Sequence, residues 1–120
     1  MEHNQARVEI RQKGEIMVVE LLDKEILDEV TINEIADSLF SVVAENASVK
    51  MVLSFARVKH LSSMALGTLI RLNKRVEEGG GVLKICEIAP SLYEIFAITK
   101  LNKLFDICES EETALASFNH

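Results

Sequence analysis

Residues 8–11 alternate apolar and charged, Val8-Glu9-Ile10-Arg11, the two-residue period of a strand with one buried face. Lys13-Gly14 supplies a turn. Residues 16–22 are then almost continuously apolar, with β-branched Val18 and Val19, as in a more central strand, and the two segments read as a hairpin. The period then changes. Ile32, Ile35, Ala36, Leu39, Phe40 and Val43 fall at i, i+3, i+4, i+7, i+8 and i+11, the stripe of an amphipathic helix. Thr31, with Glu34 three residues on, predicts a capping box at its start. Residues 49–55 form another β-branched apolar run, a buried strand. Residues 64–78 set Leu66, Leu69, Ile70 and Val76 against Arg71, Lys74, Arg75 and Glu78, a second amphipathic helix. Gly79-Gly80-Gly81 ends it, because glycine accepts the left-handed conformation that closes helices.

Residues 82–86 read as a fourth strand. Pro90 opens a short helix to about residue 98, with Ser91 and Glu94 near its start and Leu92, Ile95 and Phe96 as its stripe. Residues 104–108 are a short fifth strand or extended segment. Ser110-Glu111-Glu112 caps a last helix and places two acids where the helix dipole favours them. The order ββαβαβαβα requires crossover connections between the later strands. It predicts an α/β fold with a mixed, mostly parallel sheet covered by about four helices.

Length and composition narrow the function. At 120 residues, with 48% apolar and 27% charged residues, the chain fits one globular domain over 1–120 and is too short for a second core. Its 13 basic and 19 acidic side chains give a net charge of −6, and the basic ones are dispersed, so nucleic acid is a poor partner. No apolar run approaches the roughly 20 residues of a membrane span, and Met1-Glu2-His3-Asn4-Gln5 lacks the apolar core of a secretion signal. Cys86 and Cys108 have neither CxxC spacing nor nearby histidines, and they read as reduced, buried small hydrophobes. The expectation is a soluble, cytoplasmic domain without metal or cofactor.

Catalytic equipment is sparse. Of the histidines His3, His60 and His120, two sit at the termini, and no nucleotide, metalloprotease or nucleophile-elbow motif occurs. The three consecutive glycines follow a helix instead of linking a strand to a helix start, so they form no phosphate cradle. His60 precedes a serine pair, but nothing in the sequence orients it as a base. The informative stretch is 58–70, which joins a buried strand to a helix and sets Ser62 and Ser63 at the helix start. Serines there cap the unpaired backbone N–H groups. A hydroxyl at that place is also well suited to carry phosphate, because the dipole and free N–H groups favour the added charge.

The run Ser62-Ser63-Met64-Ala65-Leu66-Gly67 resembles the Asp-Ser-Ser-Gly-Leu-Gly signature of STAS domains, the anti-sigma factor antagonist family. The similarity extends over nearly the whole chain. It includes Ile26-Leu27-Asp28 with Thr31 before the first helix, the turn at Gly79-Gly80-Gly81, Ala89-Pro90, Phe96, and Leu101-Asn102-Lys103-Leu104-Phe105-Asp106-Ile107.

The resemblance implies a STAS-like regulatory module and not an enzyme. In that family an unmodified antagonist binds an anti-sigma factor, commonly a serine kinase. Phosphorylation by the kinase breaks the complex, and a phosphatase resets it. Ser63 falls on the phosphorylated serine, with Ser62 as the alternative; Ser62 itself falls on the preceding aspartate and Met64 on the second serine. Asp28 matches an acidic residue beside the partner surface, and Lys59, Leu61, Ser62 and Met64 are the neighbouring contact candidates. Five positions depart from the family pattern: Ser62 for the acid, Met64 for the second serine, Ala65 for a glycine, Glu25 for a glycine before Leu27-Asp28, and Lys100 for a glycine before Leu101. Two alternatives stay open. One is a STAS scaffold module in a larger signalling complex that is never phosphorylated. The other, weaker one is a small α/β enzyme with Ser62 or Ser63 as nucleophile and His60 as base. Monomer and homodimer are equally compatible with the sequence.

Overall fold

The structure is a computed structural model and describes residues 7–118. His3 and His120 lie outside the described residues. In chain order the elements are β1 (Val8–Lys13), β2 (Ile16–Leu21), β3 (Glu25–Ile26), α1 (Glu29–Glu45), β4 (Lys50–Ser54) and β5 (His60–Leu61). They continue with α2 (Ser63–Glu78), β6 (Val82–Cys86), α3 (Pro90–Ile98), a single 3-10 turn (Leu101–Lys103), β7 (Asp106–Ile107) and α4 (Glu111–Ser117).

β1 and β2 form the antiparallel hairpin, turned on Gly14 at φ +64, with Val8 opposite Leu21. From there the sheet is parallel, in the order β1-β2-β4-β6-β7. Strand alternation divides its residues between two faces. On one face Val19, Leu21, Met51, Leu53, Phe55, Leu83 and Ile85 pack beneath Ile32, Ile35 and Leu39 of α1, Leu69, Leu72 and Val76 of α2, and Leu92 and Phe96 of α3. Phe96 meets Phe105 edge-on, with ring centroids 5.8 Å apart. The other face is covered more thinly: Ala114 of α4 closes over Val18, Val52 and Cys86.

The start of the first helix differs from the expected capping box. Asp28 is the cap: its Oδ2 accepts the Thr31 backbone N–H at 3.0 Å and its Oδ1 accepts the Thr31 hydroxyl at 2.7 Å. Thr31 is therefore buried inside the first turn, and Glu34 pairs outward with Arg7 at 2.9 Å. Two short strands, β3 and β5, add a separate parallel ladder to the expected order. The last strand is shorter than 104–108: the Phe105 N–H still bonds back to Leu101, and the ladder takes in Asp106–Ile107, followed by one bond from the Cys108 N–H to the Ile85 carbonyl at 2.7 Å. Ile70 and Ile95, placed on buried stripes by their spacing, are 37% and 36% exposed, at the margins of those stripes.

Candidate functional site

The β3–β5 ladder assembles one end of the molecule. Ile26 pairs with Leu61 and Glu25 with His60; the Ser62 N–H donates to the Ile26 carbonyl at 3.1 Å and the Lys59 N–H to the Lys24 carbonyl at 2.8 Å. Asp28, two residues beyond Ile26, caps α1, and Ser62, one residue beyond Leu61, caps α2. The starts of two long helices are thus tied to neighbouring strands. Their unpaired N–H groups and positive dipole ends lie at the same end of the fold.

The two serines have different tasks. Ser62 Oγ accepts the Ala65 backbone N–H at 3.2 Å, so its hydroxyl holds the helix start and is only half exposed. Ser63 is the first helical residue and is exposed. The helix start thus both caps itself and presents a free hydroxyl, and the two functions fall on adjacent residues. Met64 follows at 45% exposure.

Of the other sequence-derived candidates, Lys59 and Leu61 line a groove of about 320 Å³ together with Leu27, His60, Ser91 and Ile95. Leu61 is half-buried and also packs on the main core. Asp28 is exposed, yet both its oxygens are occupied by Thr31, which holds the carboxyl below its ordinary range, first through the backbone N–H and then through the hydroxyl. Its present task is capping. Leu27, 49% exposed, and Ile95 complete the apolar lining of the groove and were not singled out by sequence. Leu27 stands just before the Asp28 cap and outside the buried stripe of α1, a signal hidden in the sequence because the capping pattern there pointed to Thr31.

Other chemistry is poorly placed. His60 is an exposed strand residue. Burial pushes the Cys86 thiol up to about 12, and Cys108 is also raised by burial, so both thiols stay protonated at neutral pH. Among the described residues, no group of three or more His, Cys, Asp or Glu is arranged to hold a metal ion, and no helix is long and apolar enough to cross a membrane.

A family model, the STAS domain, matches residues 7–114. The chain is 30% identical over 69 residues to BtrV of Bordetella bronchiseptica, assigned as an anti-sigma factor antagonist; the match covers 58% of this chain and 60% of that protein, less than two thirds of its length. It is 23% identical over 115 residues to the anti-sigma F factor antagonist of Paenibacillus polymyxa, covering 96% of this chain and 89% of the relative. The fold superposes on an anti-sigma-factor antagonist (STAS) domain protein from Planctomyces limnophilus with a TM-score of 0.87 at 18% identity, over 96% of this chain and all of the other. It also superposes on the phosphorylated form of the Bacillus cell fate determinant SpoIIAA, with a TM-score of 0.69 at 16% identity, over 92% and 98% of the two chains. The family model covers nearly all of the described residues and the fold agrees with it, so the chain belongs to the STAS domain family.

Proposed function

We propose that this protein is a phosphorylation-switched anti-sigma factor antagonist acting in the cytoplasm. Its unmodified form binds an anti-sigma factor with serine kinase activity, and phosphorylation of Ser63 releases that partner. The observation that carries the reading is the exposed Ser63 hydroxyl at the first position of a 16-residue helix, beside a serine whose own oxygen is already committed to the cap. In the transfer, the Ser63 oxygen takes the γ-phosphoryl group of ATP, its proton leaves, and ADP departs. The new group carries roughly −1.5 to −2 charges near neutral pH. At the start of α2 the dipole and free N–H groups tolerate that charge, so the fold persists while the surface changes. Asp28, Lys59, Leu61, Ser62 and Met64 frame the contact, and a phosphatase acting on Ser63 would reset it. The protein's own role is binding and release, with no catalytic step on its side.

The test is Ser63→Asp beside Ser63→Ala, measured for fold by circular dichroism and for binding to the purified anti-sigma factors of the source organism. Ser63→Asp is expected to melt like the wild type and to lose binding at least tenfold, while Ser63→Ala retains it. A folded Ser63→Asp protein that binds normally overturns the switch. The substitution of Ser62 for the family's acid, together with the exposed Met64, favours a second reading, a STAS scaffold whose complexes ignore Ser63; stable higher-order assemblies with both variants would support it.

A further inference from the structure

Two thiols stand side by side on the face of the sheet away from the three-helix core. β6 and β7 run parallel, with Lys84 opposite Asp106 and Ile85 opposite Ile107, and the next step of that register sets Cys86 beside Cys108. The bond from the Cys108 N–H to the Ile85 carbonyl, at 2.7 Å, holds it there. Side chains alternate along a strand, so both cysteines share the face of Lys84 and Asp106, whose side chains already meet at 2.6 Å. Both also belong to the small cluster around Val18, Val52 and Ala114, with Cys86 fully buried and Cys108 at its margin.

This spacing suits a covalent link. Adjacent strands lie about 4.8 Å apart, and a disulfide joins Cα atoms roughly 4.4–6.8 Å apart. Its Cβ atoms approach to about 3.8 Å, so one of two parallel side chains has to lean towards the other. Cys108 has that freedom: it lies just past the last ladder residue, Ile107, and two residues before the Ser110 cap of α4.

Access sets the order of events. Cys108 borders an open groove of about 540 Å³ together with Ile88, Tyr93 and Glu109, whereas Ala114 covers Cys86. Burial raises both thiols, which keeps the reactive thiolate scarce and slows the reaction. It does not oppose the product, because two thiols and a disulfide are all uncharged. Stabilised thiolates are what make some dithiols resist oxidation, and burial here disfavours them.

We propose that Cys86 and Cys108 are a redox-active pair, converted reversibly to an intrachain disulfide by a low-molecular-weight disulfide, and that the bond fastens the head of α4 to β6. Cys108, after losing its proton, attacks one sulfur of the small disulfide; that S–S bond breaks and a first small thiolate leaves. When α4 moves off Cys86, its deprotonated sulfur attacks Cys108 Sγ, forming the intrachain bond and expelling the second small thiolate. Two protein thiols are oxidised, one small disulfide is reduced to two thiols, and those thiols take up the two protons. The site is separate from Ser63 and needs no partner protein.

The experiment equilibrates the full chain with oxidised and reduced glutathione and maps the products by mass spectrometry. In oxidised glutathione the chain is expected to lose two hydrogens, retain no glutathione and yield a peptide joining Cys86 to Cys108; reduced glutathione reverses this. The native chain should close at least tenfold more favourably than the same chain in urea, because the fold holds the thiols together. Cys86→Ala should instead accumulate glutathione on Cys108. Hydrogen exchange of the α4 amides should slow at least tenfold in the closed form. Wild-type chain that keeps both thiols, carries stable glutathione on Cys108, or links only to a second copy overturns the pair. Closure no more favourable than in urea does the same. Closure with unchanged exchange in α4 keeps the dithiol and removes the fastening.

Discussion

Lys100 occupies φ +64, ψ +18, between α3 and the 3-10 turn. An L residue pays for this left-handed conformation because its Cβ crowds the following carbonyl, whereas glycine does not. The similarity of this segment to STAS sequences, which usually carry glycine here, thus has a backbone cause. Lys100 supplies the turn with two hydrogen bonds, its N–H to Ala97 and its carbonyl from Lys103, so the conformation is held from both sides. Replacing it with glycine removes the steric cost but adds freedom to the unfolded chain. The net expectation for Lys100→Gly is about 0.5–1 kcal/mol of added stability in urea unfolding; an unchanged or lower midpoint would contradict the strain. The glycines after α2 have reasons the sequence did not distinguish. Gly79 caps at φ −85, Gly80 takes φ +81, and Gly81 allows the close pass of Val49. Only Gly80 needs the left-handed freedom read from all three.

At the scale of elements, the start of α2 holds a capping serine and an exposed one side by side, and substitution separates their contributions. Its side chain satisfies one of the free N–H groups of α2, so Ser62→Ala should cost about 1 kcal/mol in urea unfolding. Ser63→Ala, which removes an exposed hydroxyl, should stay within about 0.5 kcal/mol of wild type. Equal losses from both would show that the cap is shared. The long amphipathic stripes of α1 and α2, and the apolar runs of β2, β4 and β6, were legible because period and burial agree over many residues. β3 and β5 were not, since two residues carry no period and their pairing depends on distant chain. The first cap was misplaced by three residues: Thr31-Ile32-Asn33-Glu34 satisfies the capping pattern, but Asp28 lies one turn earlier and accepts two bonds from Thr31 itself. The place of Ser63 at a helix start was legible from the apolar run before it and the amphipathic stripe after it. The groove residue Ile95 was not, because its spacing fits a buried stripe as well as it fits the margin where it lies.

The whole molecule is asymmetric across its sheet. Three helices cover one face, while α4, seven residues long, covers the other, and a helix of that length holds its place by tertiary contacts. One contact spans nearly the full chain: Arg11 on β1 grips Glu111 at the start of α4, with nitrogen–oxygen distances of 2.9 and 3.1 Å. A second comes from the turn after β6, where Glu87, at φ +58, accepts the Glu111 N–H at 2.9 Å. Hydrogen bonding to Arg11 holds the Glu111 carboxyl below its ordinary value of 4.5. A carboxyl lowered in the folded state stabilises that state above its ordinary value, and the contribution disappears as pH falls through the lowered one. Acid should therefore loosen α4 before it unfolds the three-helix face. Cys86 reports the event, because it lies under Ala114 and its thiol is both buried and protonated at neutral pH. Arg11→Met should speed modification of Cys86 by a pyridyl disulfide at pH 7 several-fold, with little change in far-ultraviolet circular dichroism. The wild type should show the same acceleration as pH is lowered below the ordinary glutamate range, relative to a free-thiol control at each pH. Because Cys108 is only half-buried, it should react first in both proteins, and mass mapping separates the two sites. Cys86 reactivity that changes only together with global unfolding would mean that α4 and the main core are one cooperative unit.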